Sequence, residues 1–309
     1  MDMKRLTILI TISILAVLLL SACGAAAAPA AAPITLTDGL GRSVALAGPA
    51  QKIVSLAPSN TEILFAIGAG GQVVGRDEFS DYPAEAKALP SVGGSMGTYS
   101  LETIASLKPD LVLAAEINTP EQVKSLEDLG VVVYYLSNPK DLEGMYANLK
   151  TVGQLVGRET EADALVASLQ ARVQAVQEKL MPISSVFTVF YELDGSDPAK
   201  PWTAGAGTFL SQLIGMAGGS NVGDRLQGDY AQMSQEELLI ANPMVILLGD
   251  AAYGVTAEQV AARPGWGSLA AVQENRIYPF DDNLVSRPGP RLVDGLEQIA
   301  KLLRPELFK

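Results

Sequence analysis

The absence of histidine and the scarcity of cysteine limit the chemistry that this chain can perform. It contains no histidine and a single cysteine, Cys23, among 309 residues. Without histidine there is no Ser-His-Asp triad, no Cys-His pair and no histidine-ligated zinc site, and one cysteine cannot form an internal disulfide or a CxxC site. No other nucleophile stands beside a base, and soft metal ligands are scarce. The sequence therefore predicts no catalytic residues, no metal site and no resident cofactor.

Aromatic residues are the best candidates for contacting a ligand. They make up only 6% of the chain, yet seven lie in segments between predicted elements, namely Phe79, Tyr82, Tyr99, Tyr191, Trp202, Tyr230 and Tyr253. Loops are usually polar, so aromatic loop residues need either a satellite core or a ligand. A ligand with a large apolar face could lie against such rings. Arg287 could pair with carboxylates or a phosphate on the ligand, or instead with Asp294 on the last helix.

The composition bounds the remaining functions. Lys and Arg number 22 and Asp and Glu number 34, which gives a net charge of −12 at pH 7. A surface this acidic repels phosphate backbones, so nucleic-acid binding is not expected. Hydrophobic residues make up 48% of the 309, enough for buried cores in about two domains.

Short apolar runs alternate with helical patterns along the chain, which is typical of a parallel α/β sheet. Strands are predicted at residues 52–57, from 73 onward, and at 111–115 and 131–136, with helices at 59–67 and 120–129. Ser59 is expected to cap the first of these helices, with Glu62 completing a capping box.

One segment of the chain occurs twice. Residues 100–113 and 234–247 each have a Ser, a Glu two positions later, a Pro at the tenth position and then an apolar run. Each copy predicts a capped helix, a break and a buried strand, so two similar lobes are expected, although helix–loop–strand units also resemble one another by chance. Between the copies, residues 141–180 have apolar residues at helical spacing on both sides of Gly157, which predicts two helices, the second of them a long helix that links the lobes.

The first residues of the chain predict export. Lys4 and Arg5 precede an apolar run that ends in Leu-Ser-Ala-Cys23, so residues 1–22 are interpreted as a signal peptide. The run is shorter than the ~20 residues of a membrane-spanning helix. Leu-Ser-Ala-Cys resembles the bacterial lipobox, which implies lipidation of Cys23; the alternative is a plain signal peptide with an incidental cysteine. Residues 23–33 are mostly Ala and Pro and predict a tether.

Several segments together resemble the class III substrate-binding proteins of ABC importers, which capture cobalamin, ferric siderophores or haem. The matching segments, in order, are IVSLAPSNTE at 53–62, SDYP at 80–83, LKPDLV at 107–112, AGGSN at 217–221 and SRPGPR at 286–291. The resemblance covers about residues 34–305. It implies an α/β fold in which two similar lobes, at 34–157 and 182–309, are joined by a backbone helix at 158–181 and enclose an interlobe cleft. It also implies a binding protein without enzymatic activity, which delivers a bulky ligand to a permease.

The resemblance is greatest to the cobalamin-binding branch of that family. In that branch one surface glutamate per lobe docks into arginine pockets on the permease dimer, and the corresponding residues here are Glu102 and Glu236. Both are also explained as ordinary first-turn carboxylates, which stabilise a helix N-terminus.

The predicted ligand-binding residues combine the loop aromatics with this resemblance. They are Phe79, Tyr82, Met96, Tyr99, Tyr191, Trp202, Tyr230 and Arg287. Met96 and Ala115 stand where the cobalamin branch carries tryptophan, and this departure leaves room for another ligand. The expected ligand is therefore cobalamin or another metal chelate.

Alternatives to cobalamin remain open at this stage. A ferric siderophore brings its own iron ligands, and haem could take a tyrosine as axial ligand. A membrane-anchored hydrolase would turn over generic substrates, and a passive surface lipoprotein would show no stabilisation by any ligand. The exported protein is expected on a membrane, facing either the periplasm or the cell exterior.

Overall fold

The computed structural model describes residues 32–94 and 97–308. The predictions for Cys23, for the signal peptide and for Met96 lie outside the described residues, as does the tether up to residue 31. In the part of the chain that is described, no helix combines the length and the apolar character needed to cross a membrane.

The first lobe is built on a four-stranded parallel sheet. An antiparallel hairpin precedes it, formed by β1 (Ile34–Thr37) and β2 (Ser43–Leu46). The sheet has the order β4-β3-β5-β6 and consists of β3 (Ile53–Ser55), β4 (Val73–Arg76), β5 (Leu111–Ala115) and β6 (Val133–Leu136). Its helices are α1 (Pro58–Ala66), α2 (Leu101–Leu107) and α3 (Pro120–Glu127). All residues of β5 are buried, because helices cover both faces of a parallel sheet.

Two helices connect the lobes. Asp141 caps α4 (Leu142–Val156), with its side chain accepting a hydrogen bond of 2.8 Å from the backbone N–H of Gly144. The chain then turns at Gly157, whose φ of 69° favours glycine, into α5 (Glu159–Leu180). With 22 residues, α5 is about 33 Å long, roughly the width of a domain.

The second lobe repeats the architecture of the first. Its parallel sheet has the order β12-β11-β7-β9 and consists of β7 (Phe187–Glu192), β9 (Gly219–Asn221), β11 (Val245–Leu248) and β12 (Ile277–Pro279). An antiparallel pair, β8 (Trp202–Ala204) and β10 (Tyr230–Gln232), lies beside it. The helices are α6 (Phe209–Met216), α7 (Gln235–Ala241), α8 (Ala257–Ala261), α9 (Ala270–Gln273), α10 (Asn283–Ser286) and α11 (Leu292–Leu303). The predicted α/β fold with two similar lobes is confirmed.

The internal repeat appears as two equivalent helices. Ser100 caps α2 and Ser234 caps α7, each through its side-chain oxygen. Both helices end on a residue in the left-handed conformation, Lys108 with φ of 50° and Asn242 with φ of 42°. A proline follows each of them, so neither helix can continue. The two buried strands β5 and β11 then enter the centres of their sheets.

The predicted cap of the first helix is wrong. Helix α1 begins at Pro58 with Ala57 at the N-cap, and no side chain caps it. Proline has the φ of a first helical residue, so the helix starts earlier than expected and Ser59 falls inside its first turn. Glu62 consequently does not complete a capping box, and its carboxylate binds side chains of the second lobe.

Candidate ligand-binding cleft

Two adjoining pockets lie between the lobes. The larger has a volume of about 570 Å³ and the smaller about 320 Å³. They share Asn138 from the first lobe with Ser286 and Pro288 from the second, and together they form the interlobe cleft. These volumes are in the range of small-molecule sites.

The cleft is formed by residues that follow the sheet strands. Ile117 comes two residues after β5, Asn138 two residues after β6, and Asp282 three residues after β12. Ligands of open α/β sheets bind beyond the carboxyl ends of the strands, which is where these residues lie. Asn138 was not predicted, because nothing in its local sequence marks it. Its position just after a buried strand is the one signal that points to it.

Three predicted ligand-binding residues line the cleft. Phe79 and Arg287 line the smaller pocket, and Tyr230 lines the larger one. Phe79 and Tyr230 are 56% and 60% exposed, so both are available to a ligand.

Trp202 lies next to the cleft on the β8–β10 pair. Trp202 is opposite Gln232, and Tyr230 stands two positions before Gln232 on the same strand. Residues two apart on a strand share a face, so Trp202 and Tyr230 are diagonal neighbours within reach of each other. Trp202 is 42% exposed. The pair therefore presents two accessible aromatic rings on one surface.

The structure places two other predicted tyrosines inside the lobes. Tyr191 has no exposed surface, packs edge-on against Phe280, and donates a 2.8 Å hydrogen bond to Asp282. Burial raises the pKa of its phenol well above the ordinary value. Tyr99 is half-buried; its hydroxyl donates to the Leu56 carbonyl at 3.1 Å and accepts from Asn118 at 2.9 Å. Neither ring lines the pockets, and Tyr191 acts on the cleft only by holding Asp282.

Tyr82 lies on a different surface from the cleft. The guanidinium of Arg291 stacks over its ring, 4.0 Å from the ring centre. Tyr82 lines a separate pocket of about 490 Å³, bounded by α1, α5 and α11. The structure therefore brings Tyr82 next to the backbone helix rather than to either pocket of the cleft.

Arg287 joins the two lobes. Its Nη1 atom lies 2.7 Å from Asp81 Oδ1 and 3.1 Å from Glu62 Oε1. Burial alone raises the pKa of Asp81, but the hydrogen bond and charge of Arg287 outweigh it, so this pKa is below its ordinary value. The alternative pairing of Arg287 with Asp294 is wrong: Asp294 binds Arg172 at 2.5 Å instead.

Glu62 is the centre of this interlobe contact. Its carboxylate has no exposed surface and also binds Arg291, at 2.8 Å from Nε and 2.5 Å from Nη2. Hydrogen bonding to Glu62 and its charge raise the pKa of Arg291 despite burial, which by itself lowers it. We call Glu62, Asp81, Arg287 and Arg291 the interlobe clasp. Two carboxylates and two guanidinium groups balance within it.

The cleft walls carry an excess of negative charge. Glu116, Asp229 and Asp282 line the larger pocket, against one lysine, Lys140. Among the described residues that line the two pockets, Arg287 is the only arginine, and it is already bound in the clasp. Within the described ranges no group of three or more His, Cys, Asp or Glu side chains could hold a metal ion.

The comparison with known families decides the class of the protein. The sequence model for periplasmic binding proteins matches residues 53–284. The chain belongs to this family.

Individual relatives agree with this assignment. An uncharacterized ABC transporter substrate-binding lipoprotein of Bacillus subtilis is 34% identical over 90% of this chain and 87% of its own. The crystal structure of the periplasmic vitamin B12-binding protein of Vibrio cholerae covers 83% of this chain and 98% of its own, with a TM-score of 0.70 and 29% identity. A periplasmic haem-binding protein of Roseiflexus, in apo form, covers 83% and 99%, with a TM-score of 0.73 and 29% identity.

This periplasmic binding protein is thus a substrate-binding protein of an ABC transporter, in the family whose members bind vitamin B12, haem or siderophores. Members of the family are solute binders and not enzymes.

Glu102 and Glu236 occupy equivalent places in this periplasmic binding protein. Each is the second residue of its helix, α2 or α7, and each is exposed. Helix α2 is followed by β5 and helix α7 by β11, which hold equivalent positions in the two parallel sheets.

Proposed function

We propose that this periplasmic binding protein captures cobalamin or a related corrinoid in the interlobe cleft and delivers it to an ABC permease. The observation that carries the proposal is the charge of the cleft. Glu116, Asp229 and Asp282 line the larger pocket and offer carboxylate oxygens as hydrogen-bond acceptors, whereas the guanidinium of Arg287 is already bound in the clasp.

The charge of the cleft discriminates between ligand classes. A corrin carries carboxamide side chains, whose N–H groups donate to carboxylates. Haem carries two carboxylates, which three acidic residues repel; among the described lining residues the basic groups are Lys140 and Arg287, and Arg287 is bound in the clasp. The acidity of the walls therefore favours an amide-rich ligand over a dianionic one.

The aromatic residues support the same ligand. Phe79, Trp202 and Tyr230 present exposed rings at or beside the cleft, and an apolar macrocycle face buries such rings well. The relatives of known structure include a vitamin B12-binding protein, and the match to it extends over 98% of that protein's chain.

A ferric hydroxamate siderophore is the second candidate. Such a complex brings its own iron ligands and has no carboxylate that the acidic walls would repel. The charge of the cleft thus tolerates it, whereas it disfavours haem.

Delivery to the permease is assigned to Glu102 and Glu236. An interfacial carboxylate–arginine pair contributes about 1.5–7 kcal/mol of coupling when water is excluded. Lipidation of Cys23 would keep the protein at the membrane surface, facing the periplasm or the cell exterior, since acyl chains bind bilayers with about 0.8 kcal/mol per buried methylene.

The proposal is tested by titrating the full chain, purified in detergent, with cobalamin, cobinamide, haemin and a ferric hydroxamate. A ligand at 100 times its dissociation constant adds about 2.7 kcal/mol to the free energy of unfolding, which a thermal shift detects. Stabilisation by the corrinoids alone is expected. Stabilisation by haemin alone would overturn the argument from charge. Stabilisation by the hydroxamate alone would show that the protein binds a ferric siderophore, the second candidate, rather than a corrinoid.

A further inference from the structure

Of the four residues of the interlobe clasp, Arg287 lines the smaller pocket and the other three do not. Glu62 is 2% exposed and lines neither pocket of the cleft. Its partners Arg287 and Arg291 are 225 and 229 positions away in the sequence and belong to the second lobe. Glu62 would therefore influence a ligand in the cleft only indirectly, through the residues that its carboxylate binds.

The clasp reaches both walls of the smaller pocket. Arg287 Nη2 lies 3.4 Å from the carbonyl oxygen of Phe79, whose ring lines that pocket. Ser286 and Pro288, the chain neighbours of Arg287, line the opposite wall. One buried carboxylate thus fixes the position of an aromatic ring on one lobe and of a loop on the other.

The hydrogen bonds of the clasp are better suited to fixing the relative position of the two lobes than to stabilising the fold. Charge-assisted hydrogen bonds to planar guanidinium groups have strong directional preferences. A buried ion pair is weak support for stability, because desolvation cancels much of the attraction, but breaking one side leaves buried charges without a partner. Without Glu62, Arg291, whose side chain is 11% exposed, would be in that position, and Arg287, 14% exposed, would keep Asp81 as its one carboxylate partner in the clasp.

We propose that Glu62 is a positioning residue that holds the two walls of the smaller pocket at the separation at which the ligand binds. It presets the cleft in the free protein, so that little binding free energy is spent on bringing the lobes together. The proposal rests on the proposed function only in the choice of cobalamin for the affinity measurement. The distance between the lobes can be measured without any ligand.

The test compares Glu62→Gln with a control in a contact between the backbone helix and the second lobe. Arg172 on α5 binds Asp294 at 2.5 Å and Glu297 at 2.6 Å on α11, outside the cleft. Asp294→Asn removes one carboxylate from that contact, as Glu62→Gln does from the clasp. Arg291→Lys is a second clasp variant, which keeps the charge and loses the planar fork.

Interlobe distances are measured in the full chain by pulsed electron paramagnetic resonance, without ligand. Spin labels are attached at Lys124→Cys and Glu258→Cys, both exposed and one in each lobe, with Cys23→Ser removing the native thiol. We expect Glu62→Gln and Arg291→Lys to broaden the distance distribution and Asp294→Asn to leave it unchanged. The dissociation constant for cobalamin should rise about tenfold if a tenth of the clasp-variant molecules keep the competent separation.

The outcomes are distinguishable. An unchanged distance distribution in the folded Glu62→Gln and Arg291→Lys variants overturns the proposal, and if Glu62→Gln does not fold, Arg291→Lys decides alone. Equal broadening by Asp294→Asn would also overturn it, because the loss of an ion pair outside the cleft would then have the same effect. Failure of the unaltered protein to bind cobalamin would contradict the proposed function, while the distances would still test the clasp.

Discussion

Ser100 and Ser234 make the same hydrogen bond in the two lobes. Each side-chain oxygen accepts the backbone N–H three residues further on, at 3.2 Å from Thr103 and at 3.2 Å from Glu237. Each serine thereby starts a helix of 7 residues whose second residue is an exposed glutamate. The repeat thus gives the two lobes one carboxylate each at equivalent points, an arrangement that suits a partner with two-fold symmetry.

The first prediction concerns these two glutamates. We expect Glu102→Ala and Glu236→Ala to leave the dissociation constant for the ligand unchanged and to reduce transport about tenfold or more each. The reason is the loss of a desolvated carboxylate–arginine pair with the permease, about 1.5 kcal/mol or more. Uptake of labelled cobalamin into proteoliposomes that contain the permease measures the effect.

Glu121→Ala and Glu258→Ala are matched controls for the first prediction. Both residues are first-turn glutamates of neighbouring helices, α3 and α8, and both are exposed. If the controls reduce uptake as much as the docking variants, general surface charge is responsible. If Glu102→Ala or Glu236→Ala abolishes ligand binding, the docking role is wrong.

The sequence predicts this fold best where the determining interactions are local. Strand β5 is found at residues 111–115, as predicted, because a continuous apolar run between a proline and a polar loop leaves little choice of boundary. The caps Ser100 and Ser234 are recognisable because a cap acts within four residues. The position of α5 follows from its apolar spacing and from Gly157 in the same way.

The candidate site is less predictable because distant residues build it. Glu62 has the spacing of a capping residue, and its true partners are more than 200 positions away. Tyr191 is an aromatic residue at a strand end, where a ligand contact and a core position look alike in sequence; the structure buries it. Asn138 has no distinctive neighbours. In each case the deciding fact is the packing of the two lobes, which no local pattern contains.

The second prediction concerns Tyr230. We expect Tyr230→Ala to weaken cobalamin binding by about 1–3 kcal/mol, because an aromatic contact of the larger pocket is lost. Isothermal titration calorimetry measures the change. Tyr253→Ala is the control: Tyr253 is 90% exposed and lines neither pocket of the cleft, so its removal should leave the affinity unchanged. Equal affinities for the Tyr230 and Tyr253 variants would remove Tyr230 from the site.

The third prediction asks whether the ligand extends to the β8–β10 pair. If the ligand covers both diagonal neighbours, Trp202→Ala weakens binding by about 1–3 kcal/mol, as expected for an aromatic ring buried by the ligand. Tryptophan fluorescence adds an independent readout, since the chain has only two tryptophans and the other, Trp266, is fully buried. Ligand-dependent quenching that disappears in Trp202→Phe would support the contact. An unchanged dissociation constant in Trp202→Ala would confine the ligand to the two pockets.

The fourth prediction concerns Asp38, which closes the β1–β2 hairpin. Its buried carboxylate accepts hydrogen bonds of 3.0 Å from the backbone N–H groups of Leu40 and Arg42, and one of 3.0 Å from Arg42 Nε. Burial alone raises the pKa of Asp38, but the hydrogen bonds and charge of Arg42 outweigh it and hold this pKa below its ordinary value. We expect Asp38→Asn to lower the free energy of unfolding by about 1–3 kcal/mol at pH 7.

The pH dependence of that difference follows from the direction of the shift. A carboxyl whose pKa is lower in the folded state contributes its stability above the unfolded pKa, about 3.9 for Asp, and loses it as the pH falls through the folded pKa. The gap between the unaltered protein and Asp38→Asn should therefore be constant from pH 7 to about pH 5 and shrink below about pH 4. Urea unfolding at each pH measures it. Asp128→Asn is the control, since Asp128 is 63% exposed in its pair with Lys124, and an exposed ion pair contributes only about 0–1 kcal/mol. A gap for Asp38→Asn that grows on acidification would mean that protonation of Asp38 stabilises the hairpin, and would contradict the role of Arg42.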